Sequence, residues 1–292
     1  MSKNNIQIAV CISGLLQHWS LTSRLFRYWN SIYDNVDFTF FLSTWKDGSV
    51  FPSADNHHKL AGKEIKDVRF STKTFDFIEQ VDFLSTNSIP KNILDSHDHT
   101  GPFMSYQLHN VQSMRKRYEE SCGKKFDVVV QTREDMFIFK NTLDEILNLF
   151  KKRQVVSGMF FSTSGTKVVT PRVDPKYGNF SYSIPNDNFF FSHSDAMDNF
   201  AQMYNDCYIE KTNHQTFGHF MHAQQLINKN IYNFKVGNQF HTRLIRDGKM
   251  KKKGFPSSET LEKLLNEKGV EWIYEERDMG KRQNQIMGYF DK

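Results

Sequence analysis

"FDVVVQTREDMFIF", Phe126 to Phe139, begins as an apolar run, carries Arg133, Glu134 and Asp135, and returns at once to apolar residues. A short, unbroken apolar run reads as a strand buried on both faces of a sheet. The charges then stand at a strand tip, and open α/β sheets collect ligands outside the carboxyl ends of their strands. Strand alternation puts Arg133 and Asp135 on one side and Glu134 on the other. A carboxylate there can bind a hard divalent cation that bridges a diphosphate. An arginine there can grip phosphate with two parallel hydrogen bonds. The plainer reading of the same residues is an Arg–Asp pair that ties a loop to the sheet edge.

The flanking sequence supplies the rest of such a sheet. "IQIAVCISG" from Ile6 reads as a buried strand ending at Ser13-Gly14, and "VDFTFFLSTW" (Val36 to Trp45) as a second. Between them Leu21, Leu25, Phe26, Trp29 and Ile32 recur at helical spacing. "KDVRFST" (Lys66 to Thr72) is a weaker strand, and Asp82 to Pro102 reads as a polar surface loop. Helices are expected over "SYQLHNVQSMRKRYEES", cationic near its end, "TLDEILNLFKK" and "FGHFMHAQQLINKN". Strands are expected at "QVVSGMFFS" and in "NDNFFFSHS", the latter followed by a helix capped at Ser194 or Asp195. A loop is expected over about Ser162 to Ser183, and a late strand pair in "IYNFKVGNQFHTRLIRDG". The end carries a helix, "SSETLEKLLNEKG", and a strand-like "VEWIYEE". This rhythm predicts an α/β fold: one Rossmann-like domain over 1–248, with a mostly parallel central sheet flanked by helices, and a C-terminal appendage over 249–292 packing on it.

Composition agrees with a globular chain. Its 292 residues can bury a proper core, 38% are hydrophobic and 24% charged, and 27 are Phe. Mean hydropathy is −0.60, and no apolar run is long enough for a transmembrane span. The start, "MSKNNIQIAVCISG", reads as a first strand rather than a secretory leader. Cys11, Cys122 and Cys207 are scattered, odd in number and without CxxC spacing, which suggests a reducing, cytoplasmic compartment and no structural zinc. A net charge of +5 suits an anionic ligand, but no basic stripe marks nucleic-acid binding.

Other strand ends add candidates. Ser13 and Gly14 would let a ligand approach the backbone closely, or simply form a turn. Asp187, between Asn186 and Asn188, could orient a hydroxyl or act as a base, or could form an Asx turn at strand entry.

Taken in order, "IAVCISG", "FFLSTW", a helix with Tyr106 and Gln107, "FDVVVQTREDMFIF" and "NDNFFFSHSDAM" resemble the GT-A-type nucleotide-sugar glycosyltransferases of large DNA viruses, phages and lipopolysaccharide gene clusters. The resemblance spans roughly Ile6 to His241. It implies a GT-A-like fold and transfer of a sugar from a nucleotide-diphosphate donor to a glycan acceptor, with no nucleic-acid partner. Arg133 and Asp135 stand where that family carries Asp-x-Asp, which implies donor contacts from Arg133 and a Mn2+ or Mg2+ site at Asp135. Ser13, Gly14 and Gln107 are implied against the nucleotide. Gln17, where relatives tend to carry Arg, falls in the same donor loop. Asp187 is implied on the acceptor side, as the base if the enzyme inverts configuration; Glu134, facing away from Asp135, is a poorer base. "GNQFHTR" offers His241 as a second metal ligand and Arg243 for phosphate. Arg133 in place of the first Asp also leaves open a metal-independent enzyme in which cations replace the ion.

Two other classes stand beside this one. A sugar nucleotidyltransferase would want a Gly-rich, Lys-containing phosphate loop after the first strand, and "SGLLQHW" has none. A catalytically silent, glycan-binding relative would bind no nucleotide. The pairs His57-His58, His97/His99 and His219/His222 read as solvated or helical histidines rather than metal sites. "KMKKKG" (Lys249 to Gly254) reads as a solvated loop, with peripheral membrane contact as its second reading.

Overall fold

Hydrophobic alternation with short β-branched and aromatic runs builds the sheet. Ile6–Gly14 (β1) pairs in parallel with Val36–Trp45 (β2) on one side and with Val128–Arg133 (β4) on the other. Ile78–Leu84 (β3) extends the sheet beyond β2, again in parallel. Phe189–Ser192 (β9) runs antiparallel to β4 and to Met159–Phe161 (β6), which pairs in parallel with Asn233–Lys235 (β10). The result is a seven-stranded, mixed but mostly parallel sheet in the order β10-β6-β9-β4-β1-β2-β3. The computed structural model describes residues 5–16, 18–45, 75–95, 101–152, 159–161, 170–174, 178–182, 189–213, 218–231, 233–235, 242–244 and 257–274.

Helices cover both faces, as a buried parallel sheet requires. Ile8, Val10, Ile12, Phe40, Leu42, Val128 and Val130 turn to one face. There they meet Trp19–Tyr28 (α1), Lys140–Lys151 (α4) and Ser258–Tyr274 (α7). Ala9, Cys11, Phe41, Val129 and Phe190 turn to the other, against Gly101–Cys122 (α3), Ser194–Ala201 (α5) and Gly218–Asn228 (α6). The Phe-rich composition is spent here: Phe26 meets Trp29 edge-on at 5.1 Å and Phe190 meets Phe200 at 5.3 Å.

α7 is part of the first core through Leu261, Leu264, Leu265, Ile273 and Tyr274. The Tyr274 hydroxyl donates to the Ile138 carbonyl at 3.1 Å and accepts from Trp29 Nε1 at 3.1 Å. "VEWIYEE" is therefore helical as far as Tyr274, not strand-like. The chain kinks at Gly269, whose φ of 82° is open to glycine and strained for other residues.

Other expectations change as well. "KDVRFST" lies outside the described residues; β3 is a strand that the sequence reading did not expect, because its alternation is blurred by Glu79 and Asp82. The expected loop over Asp82 to Pro102 holds the end of β3, a short helix at Lys91–Asp95 (α2) started by Pro90, and the first turn of α3. Within 162–183, Thr170–Asp174 (β7) and Gly178–Tyr182 (β8) form an antiparallel hairpin. The late strands do not pair with each other: β10 joins β6, while Thr242–Leu244 (β11) pairs with Met136–Ile138 (β5) in a separate two-stranded sheet. His193, not Ser194 or Asp195, stands at the N-cap of α5 and makes no side-chain cap; Ser194 is the first helical residue, and its hydroxyl donates to Glu119 at 2.6 Å.

That last bond belongs to a polar seam inside the α3 layer. Arg115 is 0% exposed. Its Nε donates to Gln112 Oε1 at 2.9 Å, and its two terminal nitrogens reach Glu119 and Asp198. Glu119 also accepts from the Phe126 backbone N–H at 2.8 Å, which fixes the entry to β4. Removing one partner of a buried, hydrogen-bonded charge is strongly destabilising. Glu119→Ala is expected to lower unfolding free energy by about 3 kcal/mol, read as a lower urea midpoint. Lys116→Ala, exposed on the same helix, should stay within about 0.5 kcal/mol of the parent.

Candidate functional site

The strand order reverses at β1: β2 and β3 follow on one side of it, and β4 on the other. Such a reversal opens a crevice at the carboxyl ends of the two central strands, and ligands bind there in open α/β sheets. Ser13-Gly14 and Arg133 are those ends, and Ser13 is in register with Arg133. Ser13 also pairs with Ser43, and Ser43 with Asp82. One row across four parallel strands therefore reads Asp82, Ser43, Ser13, Arg133.

α3 holds this row from above. Asn110 Nδ2 donates to Ser43 Oγ at 3.2 Å and to Asp82 Oδ2 at 2.8 Å. Gln107 Nε2 donates to the Gly14 carbonyl at 3.2 Å. Gly14 has a φ of 140°, a backbone region that favours glycine, and the Glu134 side chain lies 3.6 Å from where a Cβ would stand. Gly14 thus serves a sharp end to β1 with close packing behind it.

The charged tip of the opening stretch is a turn between two sheets rather than an interruption of one strand. β4 ends at Arg133, Glu134 and Asp135 turn, and β5 leaves to pair with β11. Arg133 and Asp135 do share a side. Nε and Nη2 of Arg133 donate to the two Asp135 oxygens, each at 2.8 Å, so the pair is bidentate. The Arg133 side chain is 36% exposed and that of Asp135 only 5%. Glu134 turns the other way, is 1% exposed, and accepts the His18 backbone N–H at 3.2 Å. It supplies from a distant strand the cap that α1 lacks locally.

Of the residues singled out in sequence, the structure brings Ser13, Gly14, Gln107, Arg133 and Asp135 together at the switch point. Gln17, Asp187 and His241 lie outside the described residues, as do His57, His58, His97, His99 and the "KMKKKG" run. Arg243 sits in β11, in register with Phe137 two residues after Asp135. Among the described residues no three His, Cys, Asp or Glu side chains converge as a metal site. A divalent ion at Asp135 would also meet the Arg133 guanidinium already seated on both carboxylate oxygens.

Sequence reading missed Gln112, Arg115 and Gln131. The cationic run "RKR" looks like a solvated helix end, and Lys116 and Arg117 are indeed exposed while Arg115 is buried. The available signal was polar residues at positions 112, 115 and 119, a helical spacing that continues the buried face of α3. Burial pushes the Cys11 thiol up to about 12, with the Arg115 charge working against it, and raises Cys207 to about 12 as well. Beside the row, Trp45 stacks on Tyr106 at 6.0 Å and Tyr106 meets Tyr204 edge-on at 4.9 Å. Burial pushes the Tyr204 phenol up to about 12, so it stays a neutral hydroxyl at neutral pH.

No protein-family model matches this chain, and no curated protein matches it. No helix among the described residues is long and apolar enough to cross a membrane.

Glu134→Ala should leave the first N–H of α1 buried without its acceptor and cost about 1–2 kcal/mol. The check is a chemical-denaturation midpoint, with Glu134→Gln, which keeps one acceptor oxygen, falling between the variant and the parent.

Proposed function

We propose that the chain is a glycosyltransferase that binds a nucleotide-diphosphate sugar at the crevice between β1 and β4 and passes the sugar to a glycan acceptor. The observation that carries this reading is the convergence of Ser13, Gly14, Arg133 and Asp135 where the strand order reverses at β1. These are the positions that the resemblance to GT-A-type transferases marks for the donor. Two connections support it. Phe189, which follows Asp187 by two residues, is in register with Thr132, so β9 starts beside the carboxyl end of β4. Thr242, which follows His241, is in register with Ile138 at the end of β5.

Departure of a nucleoside diphosphate requires positive charge on the leaving oxygens. In the proposed arrangement Arg133 supplies it. Asp135 holds the guanidinium in one plane by accepting from Nε and Nη2, and the Arg133 side chain remains 36% exposed at the end of β4. Arg133 and Asp135 together are neutral, so the phosphate's attraction falls on an oriented donor set more than on a net charge. The competing arrangement puts Mn2+ or Mg2+ on Asp135, completed by His241. The ion would then supply the charge on the diphosphate. Asp187 is the residue proposed for the acceptor hydroxyl.

Thermal unfolding with ADP, CDP, GDP and UDP, with and without Mn2+, tests both. One nucleotide at about a hundred times its Kd should raise the melting temperature by roughly 5 °C. The shift should persist without metal and disappear in Arg133→Ala. A shift that needs Mn2+ and disappears in Asp135→Ala would transfer the charge-neutralising role from Arg133 to the ion. No shift with any nucleotide would overturn the transferase reading in favour of a glycan-binding protein.

A further inference from the structure

The polar seam in the α3 layer ends at the crevice, and its polarity can be deduced from chemistry. The Arg115 Nε–H can only donate, so the Gln112 atom facing it at 2.9 Å is the carbonyl oxygen. The Gln112 amide nitrogen then points away, and it donates to Gln131 Oε1 at 2.9 Å. With its oxygen so occupied, Gln131 turns its Nε2 to Ser13 Oγ, at 2.9 Å. A second contact fixes the same orientation independently: Gln131 Nε2 lies 3.3 Å from the Thr132 carbonyl, an atom that can only accept.

Ser13 Oγ is thus an acceptor towards the protein. A hydroxyl has one hydrogen to give, and among the described residues Ser13 gives it to none. The side chain is half-buried at the carboxyl end of β1, in register with Arg133. We propose that Gln131, with Gln112 and Arg115 behind it, is a positioning residue that fixes the Ser13 hydroxyl as a hydrogen-bond donor into the crevice, so that the ligand presents an acceptor oxygen at that point. Gln131 and Gln112 are both buried and link β4 to α3. A reversed chain would face the Arg115 N–H with another N–H, so the direction is held by an ion with no alternative tautomer. The ligand oxygen that meets Ser13 is an acceptor, on phosphate, on a base carbonyl or on a sugar hydroxyl. This inference rests on the donor-binding reading above and adds to it the residues behind Ser13 and the polarity of the contact.

The test is calorimetric titration of the full chain with whichever nucleoside diphosphate stabilises it, and with inorganic pyrophosphate. Ser13→Ala should weaken nucleotide binding about tenfold, measured well below the melting temperature, which the loss of Gln131's acceptor lowers modestly. Gln131→Glu keeps the shape but accepts from both neighbours, which turns the Ser13 hydrogen inward. It should weaken binding at least as much, and should add nothing in the Ser13→Ala background, because it acts through Ser13. If Gln131→Glu does not fold, Gln131→Met enters the same cycle with the same expectation. An equal loss with pyrophosphate assigns the oxygen to phosphate, and a loss confined to the nucleotide assigns it to the nucleoside; either supports the proposal. Losses from Ser13 and Gln131 that simply add, or nucleotide binding unchanged by Ser13→Ala, would overturn it while leaving the donor site standing. If neither the nucleotides nor pyrophosphate bind the parent protein, the donor reading fails and this inference fails with it.

Discussion

A guanidinium with no exposure to water is costly unless its charge and its N–H groups are met, and Arg115 meets that condition with three side chains from two helices. Much of the α3 side of the molecule is arranged around this requirement. Glu119, besides neutralising Arg115, takes the Phe126 N–H where the chain enters β4 and the Ser194 hydroxyl where α5 begins. Asp198 ties α5 to the same ion. A packed apolar layer would be easier to build, but it would not fix the direction of a hydrogen-bond chain. The ion does, and the chain runs between α3 and the sheet to the end of β1.

α3 therefore has two tasks with opposite chemical demands. Leu108, Val111 and Met114 belong to the core. Gln107 and Asn110 close the carboxyl ends of β1, β2 and β3, while Gln112 and Arg115 run beneath them. The same helix turns supply apolar and polar groups to one sheet face, which is why the helix is long and its apolar stripe is broken. A change that shifts α3 along its axis would disturb the core and the crevice together, so stability and ligand binding are coupled through one element.

What was legible in the sequence follows from this. β1, β2 and β4 are continuous apolar runs, and α1 and α4 have clean helical spacing, so the strand–helix rhythm and the carboxyl-end location of Ser13, Gly14, Arg133 and Asp135 could be read directly. β3 was obscured by Glu79 and Asp82, although Asp82 belongs to the polar row itself. The end of α7 was misread because Gly269 breaks the spacing and leaves "VEWIY" looking alternating. The hairpin β7–β8 gave no signal because "TPRVD" and "GNFSY" have turn-like composition. Most telling is Arg115. A single chain shows a basic residue among other basic residues, and burial of one of the three is decided by Glu119, Asp198 and Gln112 acting together in space.

The charged tip between Phe126 and Phe139 joins two sheets. A chain leaving the central sheet must end one set of ladder hydrogen bonds and start another, and polar side chains can serve the backbone groups exposed in between. Glu134 does this for a neighbour: it accepts the N–H at the start of α1, so the end of β4 holds the helix that follows β1. This leaves Arg133 and Asp135 on the crevice side, with Asp135 nearly buried and Arg133 half in water. The buried member is the one without conformational freedom, and it accepts from the guanidinium through both oxygens. The orientation of the exposed member is then set by the fold. A partly exposed guanidinium, a glycine with positive φ and a serine that accepts from Gln131 thus stand together at the carboxyl ends of β1 and β4.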